Sequence, residues 1–309
     1  MVEARLICND LAGLKSQALG LAEAAGLAPD MRPLRFRFPW RHIPTNFWFN
    51  PRWALAAESF ATPLPPIVIG AGGAGARVAA ALRGGDVRAV AIQHPRMALS
   101  RFDVVLAARH DGIAGPNVIV TRTALHRVTA QRLAEAKILW APHFAALPRP
   151  LVAVLLGGSN GRYRFEEAEA GELIEGLAGM LRQGMGVMIT PSRRTSSKII
   201  ELMQTVLAPL GAYIWDFTQE NPYFGMLACA DAILVTADSV SMVSEAVATS
   251  APVYLARLPG KSTRIGAFMD GLVQSGRVRN FAGRLEMWDT EPLNDTEWAG
   301  HELRRRLGL

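Results

Sequence analysis

The sequence has few cysteines, few lysines and no long apolar run. Its two cysteines, Cys8 and Cys229, lie far apart in separate apolar segments, which is typical of buried thiols in a reducing compartment. No zinc-ligand spacing, Walker loop, Ser/His/Asp order or Asp-x-Asp pair is present, so we expect neither a metal nor a bound cofactor. The apolar runs stop short of the roughly 18 residues that a spanning helix needs. Residues 1–11 carry Glu3 and Arg5 and lack the apolar core of a secretory signal, which predicts a cytoplasmic chain.

Most of the positive charge comes from arginine. The formal net charge is +6, the pI is near 9.8, and only four lysines occur. Arginine forms bidentate contacts with phosphate and carboxylate groups, so this composition favours an anionic ligand or surface. A GC-rich coding bias would give the same composition, and both explanations stay open. Nucleic acid is not expected as a partner, because no recognisable binding module accompanies the charge.

Short runs rich in Val, Ile and Leu alternate with segments of helical periodicity, and this alternation occurs twice along the 309 residues. The pattern is typical of parallel sheets built from β-α-β units. Pro148 and Pro150 separate the two series and suit a linker between domains. We therefore predict an α/β protein with two Rossmann-like domains, residues 1–148 and 149–309, that face each other across a cleft. The last helix, at about 296–309, is expected to pack back on the first domain.

Ligands of doubly wound sheets bind beyond the carboxyl ends of the strands, so the loops that follow the predicted strands are the candidate sites. The predicted strands are Ala4 to Asn9, Pro66 to Gly70, Val87 to Gln93, Phe102 to Ala107, Asn117 to Thr121, Leu151 to Leu156, Gly186 to Thr190, Ala212 to Trp215, Ala232 to Thr236 and Pro252 to Ala256.

A glycine-rich loop follows the first strand of the second half. It consists of Gly157, Gly158, Ser159 and Asn160. Two glycines in succession let backbone amides approach an anion closely, which favours a phosphate site. The alternative is a glycine turn that only reverses the chain.

The next loop of the second half contains Ser192, Arg193, Arg194 and Thr195. Its two guanidinium groups lie at a predicted helix N-terminus, which is unfavourable for cations unless an anion offsets them. An anion site is therefore one interpretation, and a solvated turn is the other.

The third loop of the second half leads into a predicted helix and contains Asp238, Ser239, Ser241, Met242 and Glu245. The first amides and hydroxyls of this helix are suited to a diphosphate, and Glu245 is within reach of a ribose hydroxyl. Capping of the helix alone would explain the serines. It would not explain the carboxylate on the same approach, so the pattern favours a nucleotide.

In the first half, Gly70, Gly72 and Gly75 fit G-x-G-x-x-G, but no acidic residue ends the following strand. Close packing of a helix on the sheet therefore explains these glycines better than a dinucleotide does. Asp10 and His94 follow two strands of this half and are the candidate general bases for an acceptor hydroxyl. Helix capping or a purely polar role in the cleft is the alternative for both residues.

Arginines and aromatic residues are mixed along the segment from Met31 to Trp53. If the segment is exposed, this mixture suits an anionic membrane interface. If it is buried, it is a strand and a loop packed on the sheet, and the alternation of Arg35 and Arg37 with Phe36 and Phe38 is ordinary strand patterning.

Four segments carry a resemblance to a known family: IQHPRMALSRFDVVLAARHDG from Ile92, GPNVIVTRTALHRVT from Gly115, PSRRTS from Pro191 and ENPYFGMLACADAILVTADSVSMVSEA from Glu220. In these segments the chain resembles the plant mitochondrial-fission family named for elongated mitochondria, and its uncharacterised bacterial relatives. The resemblance implies a GT-B-like fold, similar to that of the membrane-associated N-acetylglucosaminyltransferase of peptidoglycan synthesis. It also implies peripheral membrane association, here at the cytoplasmic face of an inner membrane, and it brings no defined reaction.

These observations predict a glycosyltransferase-like protein that binds a nucleotide-diphosphate sugar in the interdomain cleft without a metal and acts on a lipid-linked or envelope acceptor. The second hypothesis is a non-catalytic membrane-surface adaptor that binds through Met31 to Trp53. The third is a nicotinamide-dependent nucleotide-sugar epimerase or oxidoreductase, which the glycine turn at Gly70 suggests and the absence of a Tyr-x-x-x-Lys pair argues against.

Overall fold

The computed structural model describes residues 1–43, 45–48, 50–56, 60 and 62–309. Its contacts divide the chain into two compact units: unit 1 is Met1–Arg127 with Asn294–Leu309, and unit 2 is Val128–Leu293. Within the described residues, each unit contains a sheet of six parallel strands with flanking helices.

The elements of unit 1 up to residue 127 are β1 (Val2–Cys8), α1 (Ala12–Ala24), β2 (Leu27–Pro33), α2 (Pro51–Ala54), β3 (Ile67–Ala71), α3 (Gly72–Leu82), β4 (Arg88–Ile92), β5 (Val104–Ala108) and β6 (Val118–Thr121). The elements of unit 2 are α4 (Ala130–Phe144), β7 (Leu151–Leu156), α5 (Glu167–Arg182), β8 (Gly186–Pro191), α6 (Ser197–Leu207), β9 (Tyr213–Ile214), α7 (Tyr223–Cys229), β10 (Ala232–Thr236), α8 (Val240–Val247), β11 (Val253–Ala256), α9 (Thr263–Gln274) and β12 (Val278–Asn280). The last helix is α10 (Thr296–Leu307).

Both sheets are buried on their two faces. The strand order is β2-β1-β3-β4-β5-β6 in unit 1 and β12-β11-β10-β7-β8-β9 in unit 2. Every residue of the central strands β3, β7 and β10 is buried, which explains why these strands are continuous apolar runs instead of alternating ones. Helices cover both faces, and each face has its own apolar cluster. Parallel strands place the loops that follow them along one edge of each sheet, which positions the candidate sites.

The α/β fold predicted from the sequence is confirmed, with differences at the sheet edges. The edge strands β2 and β12 were not predicted, because β2 contains Pro29 and β12 is only three residues long. The strand expected around residues 35–38 is absent: only a single bridge joins Phe36 to Leu55, and Phe38 is 90% exposed.

Helix α4 belongs to unit 2, although it precedes the two prolines at which the sequence analysis placed the boundary. It packs tightly on α7: an added Cβ on Gly225 of α7 would lie 2.2 Å from Cγ of Trp140 of α4. Helix α10 packs on α1, where a Cβ on Gly300 would lie 2.5 Å from the carbonyl carbon of Ala24. The compact units therefore begin and end at different residues from the proline-separated halves of the sequence.

The start of α10 is fixed within unit 1 by a carboxylate. Asp295 accepts hydrogen bonds from the backbone amide of Arg122 at 2.6 Å and from its side-chain Nε at 2.9 Å. Burial alone would raise the pKa of Asp295, but these hydrogen bonds and the charge of Arg122 lower it below its usual value. Asp295 therefore stays ionised and joins α10 to the end of β6.

Candidate functional site

Three loops of unit 2 meet at the carboxyl edge of its sheet. They follow β7, β8 and β10, which are adjacent in the order β10-β7-β8. The amide of Gly157, after β7, donates to Oγ1 of Thr236 at the end of β10, at 2.7 Å. The hydroxyl of Ser192, after β8, donates to the carbonyl of Gly157 at 2.9 Å, and Thr195 donates to the same carbonyl. Hydrogen bonds therefore hold the three loops together.

The two glycines after β7 are required by the close approach of the neighbouring loops. A Cβ on Gly157 would lie 2.1 Å from Oδ1 of Asp238, and one on Gly158 would lie 2.0 Å from the carbonyl oxygen of Arg194. The amide of Gly158 is directed to Oδ2 of Asp238 at 3.4 Å. Because both glycine amides point to protein atoms, an anion at this edge would meet other donors first.

Arg194 and Asp238 form an ion pair between the loops after β8 and β10. Nη1 of Arg194 lies 2.6 Å from Oδ2 of Asp238 and donates to the carbonyl of Gly158 at 2.9 Å. The side chain of Asp238 is completely buried, whereas that of Arg194 is 40% exposed. Oδ1 of Asp238 has no hydrogen-bond partner among the described residues. Of the two arginines that the sequence suggests as anion-binding groups, Arg194 therefore joins the loops, while Arg193 is exposed to solvent.

Ser159 and Asn160 shape the return of the loop after β7. The hydroxyl of Ser159 donates to the carbonyl of Phe165 at 3.0 Å and accepts from its amide at 2.8 Å. The side-chain oxygen of Asn160 accepts from the amides of Arg162 and Tyr163. These contacts are the loop-building roles that short polar side chains often play in turns.

The N-terminus of α8 lies at the same edge, directly after β10. The hydroxyl of Ser239 caps the helix by accepting from the amide of Met242 at 3.4 Å. The first amides of a helix have no acceptor within it and carry the positive end of its dipole. Ser241 and Met242 are partly exposed, so this helix end is open to a ligand.

Glu245 lies one turn beyond Ser241, on the same side of α8. It is buried, and its Oε2 accepts a hydrogen bond from the hydroxyl of Tyr223 at 2.6 Å. Burial, followed by the charge of Glu245 and this hydrogen bond, raises the pKa of Tyr223 well above its ordinary value, so the phenol is a permanent donor near neutral pH. A buried carboxylate on the side of an anion-binding helix end has the chemistry needed to accept hydrogen bonds from ligand hydroxyls.

Sequence reasoning did not find Thr236 or Tyr223. Thr236 is the last residue of an apolar strand, and threonine is so common in strands that it gives no sign of a functional role. Tyr223 precedes Glu245 by 22 residues, and such a separation gives no local spacing signal. The segment that contains both residues is the longest one that carries the family resemblance, and this is the only signal that could have drawn attention to them.

The candidate catalytic residues of unit 1 lie after β1 and β4. Asp10 forms an ion pair with Lys15 at 2.5 Å, and its side chain is 65% exposed. Nδ1 of His94 accepts from the amide of Arg96 at 2.9 Å. The neutral ring then carries its proton on Nε2, so the geometry suits His94 as a hydrogen-bond donor better than as a general base. Catalytic roles for Asp10 and His94 stay predictions.

The G-x-G-x-x-G turn of unit 1 is a packing feature. A Cβ on Gly70 would lie 2.2 Å from the carbonyl oxygen of Gly75, and one on Gly75 would lie 2.3 Å from that of Ile7. The glycines thus bring α3 against the backbone of β1 and β3, which is the packing role expected from the sequence. Gly72 adopts a φ of +73°, which glycine permits without strain.

Neither a metal cluster nor a spanning helix is seen in the described part of the chain. No three His, Cys, Asp or Glu side chains are grouped there in a way that would hold a metal ion. No helix there combines the length and the apolar composition needed to cross a bilayer.

The fold defines the class of protein, and comparison with known proteins gives the family. A UDP-GlcNAc 2-epimerase of Methanocaldococcus jannaschii, solved with UDP-GlcNAc and UDP, matches 100% of this chain and 99% of its own length with a TM-score of 0.60 at 13% identity. The ADP-heptose lipopolysaccharide heptosyltransferase II of E. coli matches 99% and 98% with a TM-score of 0.53 at 12% identity. MurG of Acinetobacter baumannii matches 100% and 92% with a TM-score of 0.50 at 16% identity. This protein is thus an α/β protein with the fold of GT-B proteins.

The chain belongs to the mitochondrial fission ELM1 family, whose model matches residues 12–307. It is 35% identical over 286 residues to the mitochondrial fission protein ELM1 of Arabidopsis thaliana, which covers 82% of this chain and 66% of the plant protein. It is 28% identical over 211 residues to an uncharacterised protein of Rickettsia prowazekii, over 65% of this chain and 58% of that protein. The chain therefore matches 66% and 58% of the lengths of these two relatives, which is less than two thirds of each.

Proposed function

We propose that unit 2 binds a nucleotide-diphosphate sugar at the carboxyl edge of its sheet, as part of a metal-independent glycosyltransferase-like protein. One observation carries the proposal: the loops after β7, β8 and β10 are hydrogen-bonded together around the N-terminus of α8. The structural neighbours support it, because they include a protein solved with UDP-GlcNAc and UDP and a heptosyltransferase of ADP-heptose.

In this proposal the diphosphate meets the first amides of α8 and the guanidiniums of Arg193 and Arg194. Asp238 offsets part of the charge of Arg194, so the helix end and Arg193 supply most of the attraction. Glu245 receives the ribose hydroxyls. If transfer takes place, the charge that develops on the departing diphosphate is stabilised by these fixed donors.

The proposal is tested by a substitution that separates binding from stability. An acidic residue at the second position of a helix interacts favourably with the helix dipole, by about 0.3–1 kcal/mol. Ser241→Asp should therefore repel a diphosphate. Because Glu245 lies one turn further along the same side of α8, like-charge repulsion offsets the dipole interaction, and the stability of unit 2 should change little. Binding of UDP, ADP and their sugar conjugates is measured by isothermal titration calorimetry, and stability by thermal unfolding.

Gln131→Asp is the matched control, because Gln131 is the second residue of α4 in the same unit and is exposed. It likewise places a new carboxylate one turn before a glutamate, and it also removes the hydrogen bond from Gln131 to Glu135 at 2.8 Å, so it should lower stability slightly and leave ligand binding unchanged. Equal ligand affinity in Ser241→Asp and the unmodified protein, or no binding of any nucleotide by the unmodified protein, would contradict the proposal.

A second candidate function is attachment to an anionic membrane surface through Met31 to Trp53. Phe38, Phe47 and Trp53 are 90%, 63% and 58% exposed. Exposed arginines accompany these rings, and such a mixture suits headgroup phosphates. Phe49, which belongs to the same segment, lies outside the described residues.

Trp48 does not take part in such a surface, because it is buried and its indole donates to the carbonyl of Ile43 at 3.1 Å. The informative variant is therefore Phe38→Ser/Trp53→Ser, tested by co-sedimentation with vesicles of phosphatidylglycerol and phosphatidylethanolamine. Trp298→Ser is the control, since Trp298 of α10 is 52% exposed in the same unit. Binding should be lost in the double variant and kept in the control; equal binding by all three proteins would eliminate this function.

A further inference from the structure

Tyr223 connects two helices of unit 2 through a side-chain hydrogen bond. It is the first residue of α7, and its hydroxyl donates to Oε2 of Glu245 in α8 at 2.6 Å. Glu245 is buried, so the plane of its carboxylate is determined by its protein contacts and not by bulk water. The orientation of the carboxylate therefore depends in part on a residue outside the three loops of the site.

The position of Tyr223 is itself fixed. Its backbone amide donates to the side-chain oxygen of Asn221 at 3.0 Å, which anchors the start of α7. Its ring packs edge-on against Phe224, with ring centroids 6.0 Å apart. Two residues further on, Gly225 is pressed against Trp140 of α4, so the helix cannot shift in that direction. The hydroxyl thus comes from a rigid element.

The hydrogen bond has a defined polarity. The phenol remains protonated near neutral pH, because burial and the neighbouring carboxylate raise its pKa. It therefore donates to the carboxylate of Glu245, and it occupies one lone-pair direction of Oε2. A carboxylate that is held in this way has a fixed plane, and a fixed plane is the requirement for telling one pattern of ligand hydroxyls from another.

We propose that Tyr223 is a positioning residue that orients the Glu245 carboxylate toward the ribose hydroxyls of a nucleoside diphosphate, so that the site selects ribonucleotides over deoxyribonucleotides. The inference rests on the proposed function and adds the residue that makes ribose recognition selective. Tyr223 itself does not contact the ligand. Its substitution should change the selectivity between sugars and leave the attraction for the diphosphate intact.

The test compares three probes on the full chain: UDP, 2′-deoxy-UDP and inorganic pyrophosphate, with the ADP pair replacing the UDP pair if ADP binds more tightly. Dissociation constants are measured for the unmodified protein, Tyr223→Phe and Glu245→Gln. Tyr213→Phe is the matched control, because Tyr213 is a partly buried tyrosine of the same unit that packs edge-on against Phe144. Thermal unfolding of each variant is recorded in parallel.

We expect the unmodified protein and Tyr213→Phe to prefer the ribonucleotide by about tenfold. Tyr223→Phe should reduce this preference by about fivefold, Glu245→Gln should reduce it further, and pyrophosphate affinity should stay unchanged in both.

Three results would overturn the inference, and they are distinguishable. If Tyr223→Phe keeps the full preference for the ribonucleotide, or loses affinity equally for all three probes, the tyrosine has only a structural role in linking α7 to α8. Absence of binding by the unmodified protein would remove the proposed function together with the inference.

Discussion

Replacement of Arg194 by alanine should destabilise unit 2 more than replacement of its partner Asp238. The carboxylate of Asp238 is completely buried, and its ion pair with Arg194 is its only short contact with a donor among the described residues. Loss of the guanidinium leaves a buried carboxylate with one long contact, at 3.4 Å, to the amide of Gly158. Loss of the carboxylate leaves a cation that is already 40% exposed and is therefore hydrated at little cost.

The magnitudes follow from this asymmetry. Removal of one partner of a buried ion pair costs about 3–5 kcal/mol, and the exposure of Arg194 places Arg194→Ala at the lower end, about 3 kcal/mol. Asp238→Ala should cost about 1 kcal/mol, because it leaves no buried charge. The double variant should be about as stable as Asp238→Ala alone, since the penalty of Arg194→Ala arises only while the carboxylate is present.

The assay is equilibrium urea unfolding of the four proteins, with Arg257→Ala as a control. Arg257 forms an ion pair with Asp270 in the same unit, and both side chains are about half exposed, so this control should change stability by less than about 1 kcal/mol. If Arg194→Ala costs no more than Asp238→Ala, or if the double variant shows the sum of the two single losses, the reasoning is refuted.

Three further predictions concern the scaffold. Burial lowers the pKa of His126 to about 4, below the value of about 6.5 in an unfolded chain. The free energy of unfolding should therefore fall by about 3 kcal/mol as the pH drops from 6.5 to 4. A pH series of urea unfolding should show this slope, and His126→Gln should flatten it. Gly225→Ala should cost at least about 1–3 kcal/mol in thermal unfolding, because the new methyl group would overlap Trp140, whereas Gly179→Ala in the open interior of α5 should be neutral or stabilising. Arg277→Lys should lose about 2 kcal/mol in urea unfolding, because a lysine cannot reproduce the fork that donates to the carbonyls of residues 247, 249 and 251.

Each of these three predictions would be contradicted by a specific result. A pH slope that persists in His126→Gln would assign the proton uptake to another group. Similar stabilities for the two glycine variants would mean that α7 can move away from α4. An unaffected Arg277→Lys would show that the end of α8 does not depend on the guanidinium.

The alternation of apolar runs and helical segments was sufficient to predict the class of fold and most strands. The central strands, such as β7 and β10, were predicted with the bounds that the structure shows, because a strand buried on both faces needs an unbroken apolar run. The edge strands β2 and β12 escaped detection, since one side of an edge strand is unpaired and tolerates proline and polar residues.

The approximate composition of the candidate site was also predictable, because the loops after adjacent parallel strands must share one sheet edge. The roles of individual residues were not. Gly157 looked like an anion-binding glycine, yet the structure shows a carboxylate oxygen where its side chain would be. Arg194 looked like a ligand contact, and it is engaged by Asp238.

The sequence by itself determined the two parallel α/β sheets and the edge at which their loops gather, because periodicity and burial act along contiguous stretches of chain. Only the tertiary structure decided which polar groups pair with one another at this edge. The pairs Arg194 with Asp238 and Tyr223 with Glu245 join residues 44 and 22 positions apart, and such pairings depend on the packing of whole elements, which no local pattern encodes.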